Sequence, residues 1–116
     1  MSSKKSNLNS KDHQYMNLAI NLAKDRIGLT GLNPSVGCLI VKNDEIISTG
    51  QTGLNGRPHA EYNATKNKKK IINGSTLYAT MEPCTHHGLT PPCTSQIIKS
   101  KIKKVIYAID DIDHRT

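Results

Sequence analysis

The apolar positions along the chain follow two different spacings. From Asp12 onward, Met16, Ala19, Ile20, Ala23 and Ile27 recur three, four and seven residues apart, which puts them on one face of a helix. Asp12 can cap its start and Gly28 can end it. "VGCLIVK" (36–42) is instead a continuous apolar run of strand length. "IISTG" (46–50) follows after the turn "NDE", so the two read as a hairpin. "HAEYNATKNKK" (59–69) reads as a second helix, with Pro58 where a helix start tolerates proline. Then come a strand, "STLYATME" (75–82), a third helix, "CTSQIIKSK" (93–101), and a last strand, "KVIYAID" (104–110).

Strands that alternate with helices predict an α/β layered domain with a mixed sheet. Residues 1–11 are polar and read as a disordered tail. The sequence ends soon after the last strand, so the element that would cover that sheet edge is expected to be missing.

Composition narrows the picture. At 116 residues the chain makes one domain with one modest core. Aromatic residues are 3%, with no Trp or Phe, so Ile, Leu, Val and Ala must build that core. No apolar run approaches the ~20 residues that cross a bilayer, so no membrane partner is expected. "MSSKKSNLNSKDHQ" has no apolar signal region. The expected location is cytoplasmic, where thiols stay reduced and free to bind metal. The net charge of +7 suits phosphate-bearing ligands. The run "KNKKK" (66–70) reads as a solvated helix end. No aromatics interleave with it to stack bases, so nucleic acid is set aside as a partner.

The chemistry lies in two segments. "PHAE" holds His59 and Glu61, and "MEPCTHHGLTPPC" (81–93) holds Cys84 and Cys93. One imidazole and two thiolates suit tetrahedral zinc. Three protein ligands leave one position open, the mark of a catalytic site, and water there ionises near neutral pH. Glu61 is then free for proton transfer. Cys93 is expected to open its helix, where the helix amides favour the thiolate. This histidine, glutamate and paired-cysteine pattern is the signature of zinc-dependent nucleobase deaminases.

Duller readings stand beside these. Cys84 and Cys93 could close a disulfide loop, or His86 or His87 could complete a structural zinc, which would leave Glu61 without a task. His86 is expected to face the pocket as a substrate contact and His87 to be a solvated loop residue. Cys38, within "GCLIV", reads as a buried thiol that acts as a small hydrophobe. Asn33, in "NPSVG", is either a turn residue or an amide that hydrogen-bonds a pyrimidine edge.

"NPSVGCLIV", "HAE", "TLYATMEPCTHHGLTPPC" and "KVIYAIDD" together resemble the deaminase half of the bifunctional riboflavin-biosynthesis deaminase/reductase, in the cytidine-deaminase-like superfamily. The likeness runs from about Tyr15 to about Asp113. Its specific part is the eight-residue spacing of the two cysteines, where related tRNA adenosine deaminases show a tight Pro-Cys-x-x-Cys. The resemblance implies a three-layer α/β/α sandwich over 12–116. It implies zinc on His59, Cys84 and Cys93, with Glu61 as proton carrier. It implies hydrolytic deamination of 2,5-diamino-6-ribosylamino-4(3H)-pyrimidinone 5′-phosphate. Asn33, His86, Thr90 and Asp111 match substrate-lining positions, and a homodimer is expected.

Three positions depart from the family pattern. Thr52 stands where His is usual and Leu89 where Lys or Arg is usual. Asp111, Ile112 and Asp113 replace Asp-Pro-Asn. In the family these positions help hold the ribose phosphate. Their loss should cost a few kcal/mol in charge-assisted contacts, and Asp113 would repel the phosphate. Either Arg57 or Arg115 substitutes, or another aminated pyrimidine, nucleoside or base is the substrate. The reductase half, which would bind NADPH, is absent from the sequence.

Overall fold

The computed structural model describes residues 2–4, 9–66, 72–81, 97 and 101–109, with 2–4 and 109 described by backbone alone. Five strands form one mixed sheet in the order β1-β5-β4-β2-β3. These are β1 (Ser2–Lys4), β2 (Gly37–Lys42), β3 (Glu45–Gln51), β4 (Thr76–Met81) and β5 (Lys104–Ile109). The β2–β3 and β2–β4 pairs are antiparallel, whereas β4–β5 and β1–β5 are parallel. The expected hairpin forms on a two-residue loop. Asn43 and Asp44 take φ of 53° and 62°, the left-handed pair that matches the twist of the flanking strands.

Strand β2 is buried along nearly its whole length because helices cover both sheet faces. Successive side chains alternate between the faces. Leu39 and Val41 point with Tyr78 and Ile106 toward helix α1 (Ser10–Lys24), where Met16 and Ala19 meet them. Cys38 and Ile40 point the other way with Leu77, Ala79 and Val105. They meet Ala60 and Ala64 of helix α2 (Ala60–Thr65), together with Ile72, the helical Ile97 and Ile102. This is an α/β sandwich with an aliphatic core, as the composition requires. Cys38 is buried as expected.

Two glycines set the helix-to-sheet distance. A Cβ on Gly37 would lie 2.1 Å from the Ala19 carbonyl oxygen of α1. One on Gly50 would lie 2.2 Å from the Ala60 carbonyl oxygen of α2. Glycine is the residue that lets both helix backbones approach this closely.

The structure differs from the sequence reading at several element ends. Residues 2–4 are not part of a disordered tail. They form β1, which covers the edge of β5 expected to lie bare. Backbone pairing along a strand edge does not require apolar side chains, so a Ser-Ser-Lys segment can supply it. The cap of α1 is Asn9, not Asp12. The Asn9 side chain accepts from the Asp12 N–H at 2.9 Å, and Asp12 accepts from the Asn9 N–H at 3.1 Å, which makes a capping box. Helix α1 also ends early, so Ile27 lies beyond it, exposed. Helix α2 stops at Thr65, where the Thr65 hydroxyl donates to the Glu61 carbonyl, and Lys66 turns extended ahead of the lysine run. The remainder of that run, 67–70, and most of the 93–101 segment fall outside the described residues.

Candidate active site at the start of helix α2

The site begins where three strands end together. Gly37 opens β2, Gln51 closes β3 and Met81 closes β4 on the same end of the sheet. Two threonine hydroxyls stitch that end. Thr80 of β4 accepts from the Gly37 N–H at 3.2 Å. Thr52, one residue past β3, accepts from the Val36 N–H at 2.8 Å and donates to the Pro34 carbonyl at 3.2 Å. The Thr52 N–H closes the pair by donating to the Val36 carbonyl at 2.9 Å. Thr52 is 1% exposed. Without its hydroxyl the buried Val36 N–H would lack a partner, at a cost of ~1–3 kcal/mol.

The loops that leave these strands are tied to each other. Asn55 donates through its N–H to the Leu29 carbonyl at 2.7 Å, and Asn33 donates through Nδ2 to the Gly56 carbonyl at 3.0 Å. The Gly53 N–H returns to the Pro58 carbonyl at 2.8 Å, so the 53–58 loop closes on itself just before His59.

His59 is the N-cap residue of α2, half-buried, and its side chain makes no cap bond. Glu61 sits in the first turn and is 4% exposed. Beneath this turn, Ala60 packs in the cluster that holds Cys38 and Ala79, with Met81 against it. The start of α2 therefore stands over the ends of β2 and β4, three residues before Cys84 in the chain. Burial, and then the nearby Glu61 charge, push the Cys38 thiol well above its ordinary range. That thiol stays neutral under the carboxylate.

Of the expected site residues, the structure brings His59 and Glu61 together on one helix start and places Asn33 in the loop tied to the segment before it. Cys84, Cys93, His86, Thr90 and Asp111 lie outside the described residues, as do His87, Leu89, Asp113 and Arg115. Among the described residues no three metal-ligating groups converge, because two of the three proposed ligands are not among them. The donor types present suit a zinc ion: an imidazole at the helix start, two residues before a buried carboxylate. Thr52 does not face solvent as a ligand contact would. Its hydroxyl is taken by the 34–36 backbone. Sequence reasoning considered Thr52 only as a departure at a phosphate-holding position, and missed that role.

The family model for the cytidine and deoxycytidylate deaminase zinc-binding region matches residues 9–109. The chain belongs to this deaminase family. A riboflavin biosynthesis protein RibD of Aquifex aeolicus is 49% identical over 100 residues, covering 86% of this chain and 28% of that protein. A diaminohydroxyphosphoribosylamino-pyrimidine deaminase of Buchnera aphidicola is 48% identical over 96 residues, covering 83% of this chain and 65% of that protein. The crystal structure of a Thermotoga maritima diaminohydroxyphosphoribosylaminopyrimidine deaminase/5-amino-6-(5-phosphoribosylamino)uracil reductase superposes with a TM-score of 0.83 at 42% identity. That superposition covers 89% of this chain and 30% of that one. The chain thus spans less than a third of the length of the Aquifex and Thermotoga proteins. No helix among its described residues is long and apolar enough to cross a membrane.

Proposed function

We propose that this deaminase removes the amine from 2,5-diamino-6-ribosylamino-4(3H)-pyrimidinone 5′-phosphate by hydrolysis, as a step in riboflavin biosynthesis. His59, Cys84 and Cys93 would hold zinc, and Glu61 would carry the proton. The observation that carries this reading is the buried Glu61 two residues after the half-buried His59, at the start of a helix that stands over the strand leading to Cys84. The names of the relatives support the choice of substrate.

Zinc, when bound, supplies the Lewis acid that lets water act as a nucleophile near neutral pH. Glu61 takes a proton from that water as its oxygen attacks the ring carbon that bears the amine. The carboxyl then returns the proton to the departing nitrogen. The C–N bond breaks, ammonia leaves, and the ring carbon keeps the oxygen as a carbonyl, the second water proton ending on the adjacent ring nitrogen. Proton transfer of this kind contributes ~10²–10⁴-fold. Asn33 holds the ring. Its Nδ2 is committed to Gly56, and its Oδ1, without a partner among the described residues, is the acceptor left for a ring donor. His86, Thr90 and Asp111 complete the substrate wall on this reading.

One observation favours a second reading. The buried Thr52 has its hydroxyl committed to backbone and not to a ribose phosphate, which leaves half-buried Arg57 as the cation of the 53–58 loop. A deaminase of another aminated pyrimidine, nucleoside or base would tolerate that. Ammonia release from the purified protein, prepared without chelators, separates the two. The pathway pyrimidine should turn over faster with its phosphate than without it. Turnover of cytidine or guanine alone would transfer the site to the second reading, and elemental analysis showing no bound metal would remove both. We read the enzyme as cytoplasmic and homodimeric, with β3, one of the two outer strands of the described sheet, as the edge for pairing. Sedimentation equilibrium that returns a single-chain mass would remove the dimer.

A further inference from the structure

We infer that Thr52 is a positioning residue that acts through Asn33. Its side chain lies at the branch between the two loops that frame the site. The hydroxyl holds the Val36 N–H at 2.8 Å and the Pro34 carbonyl at 3.2 Å, which fixes both residues that follow Asn33 before β2 begins, apart from Ser35. Ser35 is fixed from the other side, where its hydroxyl donates to the Ala23 carbonyl of α1. Upstream, the Thr30 hydroxyl donates to the Asn33 carbonyl at 2.6 Å, and the Asn33 N–H donates to the Thr30 carbonyl at 3.2 Å. Asn33 is therefore clamped on both sides along the chain, and its amide is aimed at Gly56 across the gap. Thr52 is the clamp that comes from the end of β3, one residue beyond the sheet. A hydroxyl is required there because one group must accept from an N–H and donate to a carbonyl at once. Valine has the same shape and does neither.

The kinetic arm of the test rests on the deaminase reading above. Thr52→Val should raise KM for the pyrimidine by about fivefold to tenfold, the worth of one lost hydrogen bond, and leave kcat within about threefold. Bound metal per chain should stay at the wild-type value. Thr52→Ser, which keeps the hydroxyl, should restore KM. Asn33→Ala should raise KM as well, and adding Thr52→Val to it should raise KM no further, because both changes remove one contact. Additive effects would overturn the inference, as would a KM untouched by Thr52→Val. If the valine variant does not accumulate as folded protein, Thr52→Ala removes the same hydroxyl and enters the same cycle.

A second arm needs no substrate. In Thr52→Val, amide hydrogen exchange should speed up together at Val36, Asn33 and Asn55, with the amides of α1 unchanged. Faster exchange at Val36 alone would show that Thr52 does not reach Asn33. If the wild type deaminates none of the pyrimidines, the functional reading fails and this arm still decides the clamp.

Discussion

Helices α1 and α2 lie on opposite faces of one sheet, and each touches it through a glycine, yet they are held in different ways. The long helix α1 is tied at both ends. Its start carries the Asn9–Asp12 capping box, and the Tyr78 hydroxyl of β4 donates to the buried Asp12 carboxylate. Its last carbonyls take the Ser35 hydroxyl and the Gln51 amide. The short helix α2 is held along its flank instead. Ser48 donates to the Ala64 carbonyl, and Asn63 reaches the Gln51 carbonyl at 2.8 Å. Its start has no side-chain cap, and there His59 and Glu61 stand. Polar groups at the start of α1 are used to hold the helix. Those at the start of α2 make no cap bond, and on the proposed reading they serve a metal and a proton.

The strongest way to break this contrast is at Glu61. Glu61→Gln should keep bound metal and lower ammonia release by at least about a hundredfold. Urea unfolding should change little, since the amide keeps the shape. Unchanged turnover would make Glu61 a second structural carboxylate like Asp12, and the contrast would vanish.

The glycines sharpen it. Gly37→Ala and Gly50→Ala each drive a methyl into helix backbone, so each should cost about 1–3 kcal/mol in urea unfolding. Only Gly50→Ala moves α2, so only it should also lower kcat/KM in the protein that remains folded. Equal losses of activity would show that both helices serve the site alike.

The smallest effect is alkaline. Burial raises the Cys38 thiol. Burial, with the bond to Asp12 second, raises the Tyr78 phenol. An acid whose folded pKa lies above its unfolded one stabilises the fold while both states are protonated. It loses that contribution once the unfolded state begins to ionise. Stability should therefore fall as pH rises above about 8.5 for Cys38 and about 10 for Tyr78, each by up to ~1.4 kcal/mol per pH unit. Cys38→Ala should flatten the first part of the slope in urea midpoints and Tyr78→Phe the second. Slopes unchanged in both variants would assign the alkaline loss to other groups.

How far these two helices were legible in the sequence depends on the range of the interactions that hold them. The apolar stripe of α1 and the hairpin turn at Asn43 and Asp44 are local patterns, and they read correctly except for Ile27, which lies beyond the helix. The metal-ligand types and the His59–Glu61 spacing are local too. The true cap of α1 was hidden because Asn9 lies among polar residues that resemble a tail. β1 was hidden because backbone pairing left no apolar trace in Ser2–Lys4. The Asn33–Gly56 bond joins residues 23 apart, and the Thr52–Val36 bond joins residues 16 apart. No spacing rule reports a contact that exists only after the sheet has formed.

The N-terminal strand replaces β5 as one border of the described sheet. With β1 seated on β5, the described sheet is bordered by the three-residue β1 and by β3, where a bulge between Ile40 and Val41 disturbs the ladder that supports it. Trimming the first eight residues would exchange that three-residue border for the six-residue edge of β5, a longer row of amides and carbonyls. A preparation shortened in that way should clump through that edge.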